Sequence, residues 1–330
     1  MELHDRRALA EGRARESYFE TMLELRDELR RRLRRLLNAP DESIALTSST
    51  TEGCNVAVAA LGLSAEDEVV TTDVEHPGLL GALEVAPARV RVAGVRDRPP
   101  GEALAALEAE VGPRTRLIAL SHVAWTTGAV LPVRELSGQG IPVLVDGAQG
   151  AGAIPVDVHE LGCDFYTVSA QKWLLGPDGT GCLYVRPDRI DTLRIPSPSY
   201  LSWDFEANPT ALVPRAGARR FESGLVSTGA LAGLVAALAF ADDAGQARFA
   251  RAAVAAERCR TLVSDRGEVV TAPGQATLVA WRANGDADET VKRLAERGVL
   301  VRHLPGLGWL RASCGFWTSD DDLERLAEAL

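Results

Sequence analysis

The sequence predicts an α/β protein, with a large domain built on a mainly parallel sheet sandwiched by helices and a smaller α+β domain after it. Three observations carry this expectation. From residue 39 to about 186, short apolar β-type runs alternate with helical stretches, a pattern that calls for a parallel sheet covered on both faces. After an alanine-rich stretch at 229–241 the alternation gives way to mixed helices and strands. The length of 330 residues also exceeds what one hydrophobic core usually serves. The expected divisions are an N-terminal helical segment at 1–38, a large domain at 39–241 and a small domain at 242–330.

Taken in order, residues 13–37 read as one long amphipathic helix, with Leu29, Leu33, Leu36 and Leu37 as its apolar stripe. Arg30 to Arg35 places five arginines in six positions of that helix, which suits a solvated helix face. Strands are expected at Ile44–Thr47, Glu68–Thr72, Arg89–Ala93, Arg116–Ser121, Pro142–Asp146, Asp164–Ser169 and Gly181–Arg186. Helices fit between them at Thr51–Leu61, Pro77–Val85, Glu102–Val111 and Val156–Leu161. Residues 195–220 carry four prolines and several aromatics, as expected of a loop over a site or at a subunit contact. A helix at 229–241 follows, then a helix at 246–264 and strands near 267–271 and 276–282. A helix at 287–297, a strand at 298–302 and a final helix at 319–329 complete the chain.

Composition narrows the function classes. With 46% hydrophobic and 25% charged residues the chain has the make-up of a soluble globular protein. A net charge of −10 argues against nucleic acid or an anionic membrane as the main partner. The five cysteines (54, 163, 182, 259, 314) are odd in number and widely spaced. They suggest neither a metal site nor a disulfide framework, and are expected to be reduced thiols in a cytoplasm. No apolar leader and no run of about 18 apolar residues suggests export or membrane spanning.

Only two of the 36 basic residues are lysines, Lys172 and Lys292. Arginine stays protonated, whereas lysine can lose its proton and form a Schiff base. Lys172 lies in the glycine-rich stretch Ser169-Ala170-Gln171-Lys172-Trp173 through Gly181. Asp146 ends an apolar strand 26 residues earlier, so Asp146 and Lys172 occupy neighbouring strand ends. The hydroxyl-rich run Thr47 to Gly53 stands at a strand-to-helix junction, where free N–H groups bind phosphate. His76 follows another strand and offers a ring to stack on a planar ligand. Arg302 and Arg311 have the guanidinium fork that grips carboxylates. Each has a plainer reading: a surface lysine, helix caps for Asp146 and the hydroxyls, a structural histidine, surface salt bridges for the arginines. Together they specify pyridoxal phosphate, which needs a Schiff-base lysine, an acid for its ring nitrogen and a phosphate cradle.

In these stretches the chain resembles the class V aminotransferases, fold-type I pyridoxal-phosphate enzymes whose superfamily includes cysteine desulfurases and isopenicillin N epimerase-like proteins. The matching residues are Ser49 to Asn55, Glu75-His76, Ser121-His122-Val123 through Thr127-Gly128, Val145 to Gln149, Ser169 to Gly181, Arg220 to Gly224 and Arg311-Ala312-Ser313. The resemblance implies a pyridoxal-phosphate-transferase fold for the large domain. It implies that Lys172 bonds to the cofactor aldehyde, Asp146 pairs with the ring nitrogen, Gln149 bonds the phenolic oxygen and His76 stacks on the ring. Thr50, Thr51, Ser169 and Gln171 would hold the phosphate. Ser223 and Gly224 would reach the phosphate of a partner subunit, implying a homodimer with shared active sites. Arg311 would take the carboxylate of a small amino-acid substrate, beside Arg302 and Trp125.

The chain departs from that pattern in three places. No cysteine lies between Arg302 and Arg311, where cysteine desulfurases carry a persulfide-forming one, and Cys314 is expected in the core. Trp125 stands where desulfurases often have asparagine, which points toward the epimerase-like branch. No strand is expected ahead of the long helix, where relatives have one lining the substrate pocket; a trimmed chain, a misplaced start or a shortened pocket would each explain this. The expected chemistry begins with removal of the Cα proton by Lys172. Transamination ranks first, then a carbon–sulfur or other β-lyase, then epimerisation; a non-catalytic cofactor-binding relative is the reading from another class. The Gly176 to Gly181 stretch precedes a strand and so is not a dinucleotide fingerprint.

Overall fold

Seven strands form the main sheet in the order β1-β7-β6-β5-β4-β2-β3. They are β1 Ile44–Thr47, β2 Glu68–Thr72, β3 Arg89–Ala93, β4 Thr115–Ser121, β5 Val143–Asp146, β6 Phe165–Ser169 and β7 Gly181–Val185. Strands β2 to β6 pair in parallel, while β7 runs antiparallel to both β6 and β1. Thr47, Thr72, Ser121, Asp146 and Ser169 therefore end their strands along one edge of the sheet. This is the edge where α/β sheets collect ligands. The computed structural model describes residues 1–205 and 210–330.

Alternation along the strands fills two layers. Ile118, Leu120 and Val145 pack on the face covered by the helices Glu16–Leu37 and Thr228–Ala244. Leu117, Ala119 and Leu144 pack on the other face, under the helices Thr50–Ala60 and Pro77–Glu84. Strands buried on both faces lack a polar side, which is why they read as near-continuous apolar runs.

A second sheet, antiparallel, has the order β8-β10-β9, with β8 Leu278–Arg282, β9 Arg302–Leu304 and β10 Trp309–Ser313. Its core joins Val279, Trp281 and Leu310 to Cys259, Val263, Leu323 and Leu326 from the helices Ala247–Ser264 and Asp320–Ala329. Contacts to the segment after β4 hold this sheet over the edge of the large one. Thr271 Oγ1 donates to the Thr127 carbonyl at 2.7 Å, and Val130 N donates to Gln275 Oε1 at 2.9 Å. Gly128 has φ 73°, and a Cβ there would run into the Leu278 carbonyl.

Several expectations are corrected. The N-terminal region is two helices, Glu2–Glu11 and Glu16–Leu37, broken at Gly12 with φ 82°. The first was missed because it buries no residue and has no apolar stripe. The strand near 267–271 reduces to one bridge, Val269 to Trp281. The strand expected at 298–302 starts only at Arg302, and β10 adds a strand beyond those expected. In the 195–220 loop, short 3₁₀ turns form at Tyr200–Ser202 and Ala218–Phe221, while residues 206–209 lie outside the described residues. Among the described residues no single helix is long and apolar enough to cross a membrane. The helices Thr228–Ala244 and Ala247–Ser264 reach that composition only as a pair bent by 83°. All five cysteines are free and buried, with Cys314 at 2% exposure just beyond β10.

The arginine run is not uniformly solvated. Arg26 and Arg30 turn inward onto Glu222, whose side chain is 1% exposed. Glu222 takes Arg26 Nη2, takes Arg30 Nη2 at 2.8 Å, and accepts from the Leu46 backbone N–H at 3.0 Å. One carboxylate thus clamps the long helix to β1. Removing one partner of such a buried pair strands the other charge. Glu222→Ala is therefore expected to destabilise the fold by ~3–5 kcal/mol, read as a lowered urea midpoint, whereas Arg31→Ala on the exposed face leaves the midpoint nearly unchanged.

Candidate active site

Asp146, the last residue of β5, is 3% exposed. The next residue must be glycine: a Cβ at 147 would overlap the Tyr166 ring and the Thr167 carbonyl. The tight turn brings Ala148 N–H to 2.9 Å from Asp146 Oδ1. Burial raises the Asp146 pKa, and the Ala148 N–H, Lys172 and His76 oppose that rise. Burial lowers the Lys172 pKa against the pull of Asp146, with Arg311 adding to the fall. The amine and the carboxylate therefore lie within each other's field, as their neighbouring strand ends predict.

His76 caps the helix Pro77–Glu84, with Nδ1 accepting from Gly78 N–H at 3.0 Å. That bond assigns the ring proton to Nε2. The ring stands edge-on to Trp125, with centroids 5.3 Å apart at 84°. Burial, then Lys172, keep His76 below its ordinary pKa, so the ring is mainly neutral at pH 7. Trp125 also anchors Arg311, whose Nη1 donates to the Trp125 carbonyl at 2.7 Å. Burial, with repulsion from Arg302, brings the Arg311 pKa down to about 10. Arg302 is its direct partner across the β9–β10 ladder and is exposed. The buried Arg311 Nε and Trp125 Nε1 have no hydrogen-bond partner.

Gln149, Lys172, Arg302 and Arg311 line one cleft of about 540 Å³, together with Trp173, Leu300, Val301, Ser313 and Trp317. Trp173 Nε1 donates to Gln149 Oε1 at 2.8 Å, which leaves the Gln149 amide N–H₂ as a free donor. A cleft of about 590 Å³ lined by Arg35, Arg134 and Arg248 contains none of these residues. The chemistry therefore places the site in the former.

A second group gathers at the start of the helix Thr50–Ala60. Ser169 Oγ accepts from Thr50 N–H at 2.8 Å and lies 3.1 Å from Thr50 Oγ1. Thr51 faces Gly78, where an added Cβ would come within 2.6 Å of Thr51 Oγ1. Ser223 Oγ donates to Glu52 of the same chain, and Ser48 N–H donates to Glu52 at 2.6 Å. Burial raises the Glu52 pKa, but these bonds outweigh it and hold the carboxyl below its ordinary range. Gln171 and Gly224 are exposed, and Gln171 makes no side-chain hydrogen bond among the described residues. Among the described residues, no cluster of His, Cys, Asp or Glu suits a metal.

These donors and acceptors are of the kinds that pyridoxal phosphate requires. A buried acid is available for the ring nitrogen, an amine stands in its field, and an imidazole lies beside them. Hydroxyls crown a helix start for the phosphate. Trp173, Trp317 and Glu75 were not foreseen as site residues. Trp173 adjoins Lys172 and Glu75 adjoins His76, so chain proximity was the available signal.

The profile of the family described as Aminotransferase class-V matches residues 7–326. Isopenicillin N epimerase of Streptomyces clavuligerus is 32% identical over 333 residues, covering 92% of this chain and 83% of the relative. A cysteine desulfurase of Klebsiella pneumoniae is 32% identical over 242 residues, 68% of this chain and 58% of the relative. The cystine C–S lyase C-DES, solved with its reaction product cysteine persulfide, superimposes with a TM-score of 0.92 at 26% identity, covering 99% of this chain and 91% of that one. A variant of C-DES with glycine covalently linked to its pyridoxal-phosphate cofactor matches at the same TM-score of 0.92.

Behind the site, His122 Nδ1 lies 2.9 Å from the Tyr166 hydroxyl, and burial brings the His122 pKa down to about 4. The unfolded chain takes up that proton near pH 6.5, before the folded one does. The stability tied to neutral His122 is thus full above pH ~6.5 and fades toward pH 4, by up to about 3 kcal/mol. A series of urea titrations from pH 7 to 4 is expected to show His122→Asn with an acid slope shallower by up to one proton; equal slopes would contradict this.

Proposed function

Because this chain belongs to the aminotransferase class-V family, we propose that it is a pyridoxal-phosphate enzyme that removes the Cα proton of an amino acid and expels a sulfur substituent from Cβ. One observation carries the choice among reactions. Among the residues lining the cleft, Lys172 is the only side chain suited to passing protons near neutral pH, and none is a cysteine. Epimerisation calls for a second proton carrier on the opposite face of Cα. Relay of sulfur through an enzyme thiol calls for an accessible cysteine, and all five are buried. A β-lyase that releases its sulfur on a small molecule needs neither. The likeness to a cystine C–S lyase over 99% of the chain supports that reading. Transamination is the second reading, since Lys172 alone also serves it.

Bound pyridoxal phosphate supplies an aldehyde that bonds to amines and a protonated ring that accepts the electron pair left at Cα. The residues of this chain do the rest. Burial keeps a larger share of Lys172 as free amine, able to take the Cα proton. A positioned acid–base group of this kind contributes ~10²–10⁴-fold. Asp146 would set its carboxylate against the ring nitrogen, and His76 would lie beside the ring. Arg311, held by the Trp125 carbonyl, offers its remaining N–H groups to the α-carboxylate. Adjacent Arg302 and Arg311 repel each other, and an anion between them relieves that repulsion. Arg302 is suited to a second, distal anionic group such as the far carboxylate of cystine. Trp173, Trp317, Leu300 and Val301 give the cleft apolar walls for the carbon–sulfur portion.

We also infer a homodimer. Gly224 is open to solvent, and Leu225, Tyr200, Leu212 and Phe205 expose large apolar surface near the segment that carries Ser223. Such exposed residues on and beside a site-forming segment suit a second copy of the chain.

Holoenzyme given cystine is expected to yield pyruvate, ammonia and cysteine persulfide in equal amounts. A keto acid that appears only when a 2-oxo acid acceptor is added would favour transamination instead. Lys172→Ala is expected to lose ~10²–10⁴-fold in kcat. Arg311→Gln is expected to lower kcat/KM for every amino acid by ~10–100-fold, as for loss of a charge-assisted bidentate contact. Arg302→Gln is expected to impair cystine more than cysteine; equal losses would remove Arg302 from recognition of the distal group.

A further inference from the structure

Beside Asp146 lies a second buried carboxylate to which the chemistry above gives no task. Glu75 is 5% exposed and stands between β2 and the helix that His76 caps. Its Oε1 accepts from Thr72 Oγ1 at 2.5 Å. Its Oε2 accepts from Ser121 N–H at 2.9 Å and from Ser121 Oγ at 2.5 Å. Thr72 ends β2, and Ser121 ends β4 as the direct neighbour of Asp146 across the β4–β5 ladder. His76 is the next residue in the chain. One carboxylate therefore ties the end of β2, which leads to His76, to the end of β4, which lies beside Asp146 in the β4–β5 ladder.

We propose that Glu75 is a positioning residue, whose carboxylate fixes His76 relative to Asp146 and whose negative charge reinforces that of Asp146 behind the cofactor ring nitrogen. This rests on the reading of Asp146 as the partner of that nitrogen. The Ser121 N–H is an obligate donor to Glu75, and the Thr72 and Ser121 hydroxyls are free to donate as well, a set that suits a carboxylate. Among the described residues no lysine or arginine forms an ion pair with Glu75. The titratable groups whose fields meet it are Asp146 from β5 and the Cys54 thiol from the helix Thr50–Ala60. Burial, and to a lesser extent Asp146, bring the Glu75 pKa up to about 7 in spite of its three donors. A positive ring nitrogen on Asp146 would oppose that rise and favour the charged form.

The test uses resting holoenzyme without substrate, so that it does not depend on which reaction the enzyme performs. Visible absorbance of the bound cofactor is titrated against pH in the wild type, Glu75→Gln and Glu75→Asp, with thermal midpoints and pyridoxal-phosphate dissociation constants measured alongside. Glutamine keeps the shape: it accepts from Ser121 N–H and donates to the Thr72 hydroxyl, which can turn to accept. The proposal expects the absorbance midpoint of Glu75→Gln to fall by about one pH unit, the scale of losing one nearby charge at an effective dielectric of ~20. It expects the dissociation constant to rise about tenfold. In Glu75→Asp the charge is restored without the reach to both strands, so the midpoint returns toward wild type while retention stays weak. Unchanged midpoints with only a lower melting temperature would reduce Glu75 to a structural brace and overturn the proposal. Loss of cofactor uptake in Asp146→Asn with an unmoved Glu75→Gln titration would overturn it too, while leaving the Asp146 reading intact. A wild type that takes up no cofactor would sink both.

Discussion

A carboxyl group held out of water at the end of β5 is the constraint around which the rest of the structure is arranged. Asp146 is 3% exposed, and an isolated carboxylate so placed is costly unless its surroundings compensate. Here the compensation comes from the Ala148 N–H, the Lys172 amine and the His76 ring. Each comes from a different strand end or turn, so the charge can be satisfied only when the sheet has assembled in its native register. The same burial that raises the Asp146 pKa lowers that of Lys172. Two opposite shifts produced by one environment make a site that can hold a cation at one end and take a proton at the other.

Much of this was legible in the chain. Asp146, His76 and Ser169 stand at or just beyond the ends of apolar runs, and Lys172 follows Ser169 by three positions. Strand periodicity and the parallel-sheet rule were enough to bring them to one edge. The resemblance supplied roles that spacing could not, for Gln149 and Arg311 above all. What stayed hidden depends on tertiary register. The bond from Ser121 to Glu75 requires knowing that β4 lies between β2 and β5. The Trp173–Gln149 bond fixes which end of the amide is free, and it joins a turn to a loop. The inward turn of Arg30 depends on Glu222, 192 residues away, so local charge patterning could only suggest solvent. Strand β10 is five residues long and interrupted by Arg311. A charged side chain facing a cleft breaks the pattern by which strands are recognised.

The cleft separates binding from chemistry in an instructive way. On the proposed reading, recognition falls to the small sheet, through Arg302 and Arg311, and proton transfer to the large sheet, through Lys172. The two sheets meet through the segment after β4, where the Trp125 carbonyl holds Arg311 and the Trp125 ring meets His76. Trp125 is thus a shared support, in contact with one side chain from each sheet's side. Arg311 and Lys172 line the same cleft, so under the proposed function a carboxylate held at Arg311 would bring its Cα toward Lys172 and orientation would follow from binding.

Glu222 has a consequence for how this sequence can diverge. Its carboxylate is shared by Arg26, Arg30 and the first strand, and its chain neighbour Ser223 reaches Glu52 at the helix start beside Thr50. A lineage that replaced the acid at 222 with an apolar residue would leave the buried Arg26 without its ion-pair partner and Arg30 with Asp27 alone, and one that lost Arg26 would strand part of the acid. Positions 26, 30 and 222 should accordingly drift as a set among descendants of this protein, switching together or hardly at all, although none of the three touches the reacting atoms.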